Sequence, residues 1–449
     1  MGTDARLDRL VGRLVDEPID AASLALFRVL FGLVMAASMA RFIALGWVEE
    51  FYVRPTFHFT WAPFPWVQPL PAPLMHLLFV ALVVFAIGIA VGYHYRASTA
   101  LFFAGFTYVE LIDKTTYLNH YYLVTLLTGL LLIVPAHRVW SIDAVRRPTG
   151  RSTVPAWTVN ALRFQVAIVY VFAGLAKINT DWLLEAQPLR IWLAARSDVP
   201  VIGAFLGEPW VPYAFSWMGA AYDLGIVFLL LWRRTRLVAY VLVIAFHVMT
   251  ALLFPIGMFP WIMIVATLIF LPVRRRHLST VTPRRPRLLV PALAIYALIQ
   301  VVVPLRAYWP GTDPEWTGRG FNYAWRVMIA EKAGVTEFIV FQPSTARQWR
   351  VQPREYVSER QEKMMAQDPF MIRALARHIA DDFRARGIGD VEVHAESFAT
   401  LNDRPAQRLI DPRLDLAAQP SQSWILSRQF VNLSIRQSVN SIVQPVAEP

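Results

Sequence analysis

The sequence contains no cysteine and few charged residues for its length. None of its 449 residues is cysteine, which excludes disulfides, thiolate nucleophiles and cysteine-ligated zinc or iron–sulfur centres. Only 17% of the residues are charged, against about a quarter in an average soluble domain. Hydrophobic residues make up 56% of the chain. This composition predicts a protein that lies largely in a membrane.

Nine apolar segments are long enough, or nearly so, to cross a bilayer, which takes about 20 residues. They cover residues 23–46, 72–92, 97–112, 120–136, 155–177, 212–232, 237–254, 258–272 and 287–305. The segments at 97–112 and 258–272 are short, so one of them is a candidate for a re-entrant or broken helix. The sequence therefore predicts a polytopic α-helical membrane protein with eight or nine transmembrane helices, over a domain that spans residues 22–305.

Arginine marks the orientation of these helices. If the N-terminus is cytoplasmic, the inner loops carry most of the arginines: Arg96, Arg138, Arg146, Arg147, Arg151, Arg233, Arg234, Arg236, Arg274, Arg275, Arg276, Arg284, Arg285 and Arg287. The positive-inside rule explains this bias, and with it the net charge of +11, better than binding to nucleic acid does. Residues 1–21 are then a cytoplasmic amphipathic segment. The arginine-rich composition favours a bacterial inner membrane, with the C-terminal portion in the periplasm.

The C-terminal portion has a different character. We predict a small extramembrane α+β domain over residues 306–436 and a tail over residues 437–449. "WRVMIAEKAGVTEFIVFQPSTARQWRVQP" predicts a three-strand meander with turns at "KAG" and near "QPSTA". "FMIRALARHIADDFRARG" predicts a helix that ends at Gly387, and "VEVHAESFATLND" and "SWILSRQFVNLSI" predict further strands. The outer connections 47–71 and 178–211 are predicted to be interfacial, the first as a lid.

Polar residues from three distant stretches converge on the outer side of the predicted bundle. Asn119 and His120 precede the fourth segment, Lys177 ends the fifth, and His247 lies about two turns before the outer end of the seventh. Ionisable residues within a membrane often mark a pathway or a reacting centre. Because low dielectric disfavours an ammonium ion, a buried lysine at this place becomes available as a neutral base.

Each of these residues also has a purely structural interpretation. Lys177 can extend to the headgroups, and His247 can hold a neighbouring helix by a hydrogen bond. Asn119 can be a helix N-cap. Asp223, near the middle of the sixth segment, is predicted to form a structural pair with a residue such as Arg163.

Four ordered motifs resemble the vitamin K-dependent γ-glutamyl carboxylases and the bacterial membrane proteins that share their transmembrane region. They are "DKTTYLNHYYLVTLLTGLLLIVPAHRVWSID", "YVFAGLAKINTDW", "FHVMTALLFPIGMFPW" and "EWTGRGFNYAWRVM". The last is similar to the first strand of the family's extramembrane domain. The resemblance covers residues 22–345. Where family members often have a second lysine before the base, this chain has Ala176.

The resemblance implies a chemistry and a set of site residues. In the family a base deprotonates a reduced naphthoquinone of the vitamin K or menaquinol type. The quinol reacts with O2 to become an epoxide, and a protein glutamate loses a γ-proton and takes up CO2. Lys177 is then the expected base, and Asn119 and His120 are expected to contact the quinone oxygens. The remaining cofactor-binding candidates are His247, Tyr117, Phe254, Met258 and Trp182.

The resemblance implies no metal. The expected partners are the lipid bilayer, an isoprenoid quinone and a Glu-containing protein or peptide. Two other functions stay open at this point. The first is a quinol epoxidase, or another quinone-linked oxidase, that does not carboxylate glutamate. The second is a non-enzymatic carrier of a lipid or an ion, which would need a pathway to both faces of the membrane.

Overall fold

The computed structural model describes residues 12–148, 152–273, 287–309 and 313–418. Within these ranges a bundle of largely apolar helices precedes an α+β domain. The bundle helices are α1 (Ala22–Ala44), α2 (Ala72–Val91), α3 (Tyr95–Ile112), α4 (Asn119–Ile133), α5 (Ala156–Ala176), α6 (Val211–Leu231), α7 (Arg236–Leu253), α8 (Phe259–Thr267) and α9 (Leu289–Leu305). Each lies within a few residues of a predicted segment.

Within the described ranges, six helices are long and apolar enough to cross a membrane: α1, α2, α5, α6, α7, and α9 together with its extension to Tyr308. These helices confirm the predicted helical membrane architecture. Helix α4 is shorter, and α8 continues only as a 3-10 turn over Leu268–Phe270. The total of eight or nine spans stays a prediction.

A buried arginine joins three parts of the bundle at the end opposite Lys177. Arg28 of α1 donates hydrogen bonds to the carbonyl oxygens of Ile89 and Ala90, each at 2.6 Å. It also donates to those of Ala136 at 3.1 Å and Trp140 at 2.5 Å. The carbonyls near a helix C-terminus have no partner within the helix and carry partial negative charge. Arg28 therefore satisfies the end of α2 and ties it to the segment after α4.

Two short strands, β1 (Pro18–Asp20) and β2 (Thr153–Pro155), pair antiparallel just before the N-terminal ends of α1 and α5. The extramembrane domain contains the other strands, β3 (Lys332–Gln342), β4 (Arg347–Val351), β5 (Glu392–Leu401) and β6 (Gln407–Arg408). They form an antiparallel sheet in the order β4-β3-β5-β6. Helices α10 (Glu359–Met365) and α11 (Pro369–Ala385) complete the domain. Helix α11 covers the sheet with an apolar face of Ile372, Leu375, Ala376 and Ile379.

The structure corrects two details of the predicted strands. "KAG" is not a turn, because β3 begins at Lys332 and runs straight through Gly334. A Cβ on Gly334 would lie 2.1 Å from the carbonyl oxygen of Ala366, so glycine here allows a close approach of two backbones rather than a turn. The partner of β3 on its other side is β5, so the sheet is not the predicted meander.

The stretch "EWTGRGFNYAWRVM" is also not a strand. It contains the short helix Pro314–Thr317 followed by turns. The predicted helix before Gly387 and the predicted strand in "VEVHAESFATLND" are confirmed as α11 and β5, and Gly387 has a φ of +82°. The predicted strand "SWILSRQFVNLSI" and the tail lie outside the described residues.

A buried hydrogen-bond cluster around Asp113 joins the bundle to the extramembrane domain. Asp113 Oδ2 accepts from Gln361 Nε2 of α10 at 2.8 Å and lies 3.1 Å from Nδ1 of His58. Its Oδ1 accepts from the backbone and hydroxyl of Thr115. Next to it, Phe59 packs into the core of the extramembrane domain. This part of the outer connection 47–71 is therefore held under that domain and does not form a lid on the membrane surface.

The outer connection 178–211 folds into the short helices Thr180–Leu183, Leu189–Ala194 and Gly203–Leu206. It too contacts the extramembrane domain. Asp181 accepts hydrogen bonds from Arg404 and, at 2.6 Å, from Asn402. Trp192 donates to Glu331 at 2.6 Å. The two outer connections thus fix the extramembrane domain over one end of the bundle.

We expect the Asp113 cluster to contribute much of the stability of this interface. Asp113→Ala leaves the imidazole of His58 buried without this acceptor and removes one of the two acceptors of the Gln361 amide, the other being the carbonyl oxygen of Phe57. It should lower the free energy of unfolding by about 3 kcal/mol. The control Arg350→Ala removes an exposed ion pair with Glu337 and should change it by less than about 0.5 kcal/mol. Thermal unfolding of the purified protein measures both variants. Equal, small effects would show that the cluster does not hold the domains together.

Candidate active site

Lys177 is buried in a contact with Asp223. It is the first residue after α5, and only 7% of its surface is exposed. Its Nζ donates to Asp223 Oδ2 of α6 at 2.6 Å and to the carbonyl oxygen of Ala173 at 3.2 Å. The Nζ also lies 5.1 Å from the centre of the Trp182 ring. Lys177 is therefore a buried residue of the bundle and does not extend to the headgroups.

The expected pairing of Asp223 with Arg163 is wrong. Arg163 donates to the carbonyl oxygen of Ile269 at 3.0 Å and to Asn160 Oδ1 at 3.4 Å. Asp223 lies twelve residues into α6, about 18 Å along the helix axis from Val211. Because α5 ends at this depth, the end of α5 and the middle of α6 bring the lysine and the aspartate together. The pair thus lies near the middle of α6, well below its outer end.

The pair lines an apolar cavity of ≈ 360 Å³, which we call cavity one. Of the predicted site residues, Lys177, His247, Trp182 and Phe254 line this cavity. The structure adds lining residues that the sequence had not assigned to the site: Tyr170, Tyr222, Phe246 and Asp223, which had been given only a structural role. The motifs containing Lys177 and His247 therefore do meet, at a cavity with mainly aromatic walls.

The other predicted residues line a second, larger cavity of ≈ 900 Å³, which we call cavity two. It lies between the bundle and the extramembrane domain, and its walls include Asn119, His120, Tyr117 and Met258. Asn119 is not an N-cap, because its side chain accepts from the Tyr117 hydroxyl at 3.1 Å and donates to the carbonyl oxygen of Arg326 at 3.3 Å. The structure thus separates Asn119 and His120 from Lys177.

One thin wall separates the two cavities. Four residues line both of them: Ile256, Phe259, Val327 and Met328. The ring centre of Phe259 lies 5.9 Å from that of His120 in cavity two and 5.7 Å from that of His247 in cavity one. Because Met328 belongs to the extramembrane domain, that domain completes the walls of both cavities.

His247 is held by a tyrosine of the same cavity. Its Nε2 and the hydroxyl of Tyr170 are 2.9 Å apart and share a hydrogen bond. Among the described residues, Nδ1 of His247 has no hydrogen-bond partner, although the side chain is 1% exposed. A buried polar atom of this kind usually has a partner, such as water or a bound molecule. His247 can therefore offer a polar contact to a ligand of cavity one.

Cavity two has more basic than acidic residues in its walls. The basic residues are Arg41, Lys114, Arg326, Lys332, Arg360 and Lys363, and the acidic ones are Glu315, Glu331 and Asp368. Burial raises the pKa of Asp368, but its ion pair with Lys114 at 2.8 Å, the backbone N–H of Phe370 and the charge of Lys332 together outweigh this effect, and the pKa ends below its ordinary value. Burial lowers the pKa of Lys332 to about 8 against the opposing influence of Asp368. The excess of positive charge suits an anionic ligand.

The site residues that sequence reasoning missed carried different signals. Asp223 is an acid within an apolar helix and therefore needs a cationic partner. The sequence does not decide between Arg163 and Lys177 as that partner, because it does not fix how deep in the bundle each cation lies. Tyr170 and Tyr222 stand in apolar helices where aromatic residues are common, so nothing marked them. Among the described residues, no cluster of three or more histidine, aspartate or glutamate side chains is arranged to hold a metal ion.

The lysine and the aspartate should depend on each other for stability. Lys177→Met or Asp223→Leu leaves one buried charged group without its partner and should lower the free energy of unfolding by about 3–5 kcal/mol. The double variant removes both charges and should lie within about 1 kcal/mol of the wild type. Thermal unfolding of the three variants tests this. If the double variant loses as much free energy of unfolding as the two single variants lose together, the two side chains act independently.

Comparison with known proteins agrees with the two-part fold. Residues 16–274 match a family model described as the HTTM domain, and residues 285–432 match one described as the vitamin K-dependent gamma-carboxylase, lumenal domain. No solved structure matches the chain. The first match alone covers more than half of the chain, and the second follows it directly. The chain therefore belongs to the vitamin K-dependent gamma-carboxylase family, as the motifs had indicated.

Proposed function

We propose that this protein is a membrane carboxylase that uses a reduced naphthoquinone, with Lys177 and Asp223 accepting a proton from the quinol. The observation that carries the proposal is the buried Lys177–Asp223 contact in the wall of an apolar cavity. Family membership supports an enzyme of the γ-glutamyl carboxylase kind. The placement in a bacterial inner membrane, with a cytoplasmic N-terminus and a periplasmic C-terminal domain, is part of the same proposal.

Cavity one fits the ring system of a naphthoquinol. Ligand sites in proteins commonly measure about 300–1,000 Å³ and have apolar walls with a few placed polar groups. At ≈ 360 Å³, with Trp182, Tyr222 and Phe246 in its walls, cavity one is of the right size and character for a flat bicyclic ring. Lys177 and Asp223 then face one hydroxyl of the ring, and Nδ1 of His247 is available to the other.

The position of one proton decides whether Lys177 can act as a base. An ammonium ion cannot accept a further proton, but Nζ and Asp223 Oδ2 are only 2.6 Å apart. Transfer of the shared proton to Oδ2 leaves a neutral amine and a neutral acid, which low-dielectric surroundings favour over two separated charges. The amine of Lys177 then takes the proton of the quinol hydroxyl, and the resulting ammonium stabilises the anion. Asp223 thus stores a proton and holds the amine in place.

Cavity two is the proposed site of the glutamate substrate. The reduced naphthoquinone, when bound and oxidised by O2, supplies the strong base that removes a γ-proton from glutamate. Six basic against three acidic side chains in cavity two favour the binding of an acidic peptide segment. Asn119 and His120 then contact the glutamate, in place of the quinone oxygens first expected for them. The common wall at Phe259 and Met328 is where the two substrates come closest.

The charge of cavity two distinguishes this proposal from its alternatives. A quinol epoxidase that does not carboxylate glutamate needs only cavity one, and would have no use for a large cationic cavity next to it. A carrier needs a pathway to both membrane faces, whereas both cavities are partly lined by Val327 and Met328 of the extramembrane domain. The structure therefore favours the carboxylase.

Product formation by the purified protein tests the proposal. With a reduced naphthoquinone, O2, bicarbonate and a Glu peptide, the wild type should form both quinone epoxide and carboxylated glutamate. Lys177→Arg keeps a cation beside Asp223 but cannot become a neutral base, and should lower the rate by about 10²–10⁴-fold. Asp223→Asn should also lower it. Arg384→Ala, at an exposed ion pair in α11, is the control and should retain full activity.

Three results would contradict parts of the proposal. Full activity of Lys177→Arg would remove the lysine from proton transfer. Epoxide without carboxylated peptide would support the epoxidase. Neither product from the wild type would contradict the enzymatic function as a whole.

The binding of an acidic peptide should weaken at high pH. The pKa of Lys332 is lowered to about 8, so the ammonium is present below this pH and is lost as the pH rises through it. We expect the Kd of a Glu peptide to rise about tenfold between pH 7 and pH 9, the value of one charged hydrogen bond. Lys332→Arg stays charged and should remove the dependence, whereas the control Lys363→Arg should retain it. Titration calorimetry measures the Kd. If the Kd of Lys332→Arg rises between pH 7 and pH 9 as much as that of the wild type, Lys332 is not the group that binds the peptide.

A further inference from the structure

Cavity one opens onto the lateral surface of the helical bundle, between α6 and α7. Met218 of α6 and Leu242 of α7 both line the cavity, and they are 56% and 46% exposed. Ala245 of α7 also lines the cavity and is exposed. A residue that lines a cavity and is exposed on the outside marks a mouth of that cavity. The mouth therefore lies in the side of the helical bundle and not at its end.

The surroundings of this mouth are those of a lipid-facing surface. Trp217 on α6 and Val241 on α7 flank it, and they are 56% and 63% exposed. Both helices are long and apolar enough to span a membrane, and Trp217 and Val241 lie in the second turn of their helices, inside the ends, so their exposed side chains face hydrocarbon. The mouth thus connects the Lys177–Asp223 pair with the interior of the bilayer.

The slot between the mouth and the pair is narrow and apolar. Its walls are spaced at three or four residues along each helix, with Met218 and Tyr222 on α6 and Leu242, Ala245 and Met249 on α7. Glycine at position 219 keeps the slot open on the side of α6, since a Cβ there would meet only Trp182, at 3.7 Å. At the mouth neither helix contributes a charged side chain, so a hydrocarbon chain loses no polar contact by entering.

We propose that this slot binds the isoprenoid side chain of the quinol, with the ring held at Lys177 and Asp223 and the chain leaving between α6 and α7. The inference rests on the proposed function, because it assigns a place to the rest of the same substrate. Cavity two cannot take this chain, since burying hydrocarbon against six basic and three acidic side chains would remove water from charged groups. The slot selects for lipid-borne quinols over water-soluble ones.

Binding as a function of chain length tests the assignment. The full-length protein in nanodiscs is titrated with two oxidised naphthoquinones, one with a two-carbon chain and one with a chain of four isoprene units. Quenching of tryptophan fluorescence reports binding, since Trp182 and Trp192 line cavity one. Ala245→Phe fills the slot and should raise the Kd of the long-chain quinone about tenfold or more, and that of the short-chain quinone less than about twofold.

A matched control lies on the same helix. Val241→Phe adds a similar ring to the lipid-facing surface of α7, but Val241 does not line the cavity, and both Kd values should stay as in the wild type. If Ala245→Phe raises the Kd of both quinones by the same factor, or leaves both Kd values unchanged, the slot does not hold the chain. If the wild type binds the two quinones equally well, the chain is unbound and the inference is wrong while the proposed function stands. If it binds neither, the proposed function itself is contradicted.

Photo-crosslinking of the wild type gives the answer even if Ala245→Phe does not fold. A long-chain naphthoquinone with a diazirine at the end of its chain should label peptides containing Met218 or Leu242, and the short-chain quinone should compete for the label. If the short-chain quinone does not reduce this labelling, the long chain binds only as an ordinary lipid on the surface of the bundle, and the assignment is wrong. Label on α10, in cavity two, would overturn the assignment.

Discussion

The contact between Lys177 Nζ and Asp223 Oδ2 is the constraint on which the rest of the site depends. Either side chain alone would be a buried charge with a cost of several kcal/mol, whereas together they form a pair without net charge. The contact also fixes how far α5 extends along α6, and therefore where cavity one lies within the bundle. In the proposed function, apolar surroundings alone would not make Lys177 a base, because the amine also needs a neighbour that takes its proton.

The extramembrane domain takes part in the site as well as covering it. Met328 closes the wall between the cavities, and Lys332 adds charge to cavity two. The Asp113 cluster and the contacts of Asp181 with Asn402 and Arg404 hold these residues in place. In the proposed function, an apolar and an anionic reactant would bind next to each other, one in the cavity of the bundle and the other in the cavity between the domains.

Much of the fold could be predicted from the sequence because the bilayer imposes one strong rule, a long apolar helix. The bounds of α1 to α9 follow hydropathy to within a few residues. The pairing of Asp223 could not be predicted, since the partner lies 46 residues away and its distance depends on where α5 ends. The separation of Asn119 and His120 from Lys177 could not be predicted either, because proximity to one leaflet does not reveal the wall at Phe259. The close approach of Gly334 to the backbone of Ala366 could not be predicted either, because no local sequence pattern contains that contact, and a glycine after lysine and alanine predicts a turn.

A cryo-EM structure of the protein with a bound naphthoquinone would decide which cavity holds the ring. We expect density for the ring in cavity one, with one ring oxygen within hydrogen-bond distance of Lys177 Nζ and Asp223 still in contact with the lysine. A ring bound in cavity two against His120 and Asn119, with Lys177 and Asp223 unchanged and distant from it, would contradict the central claim.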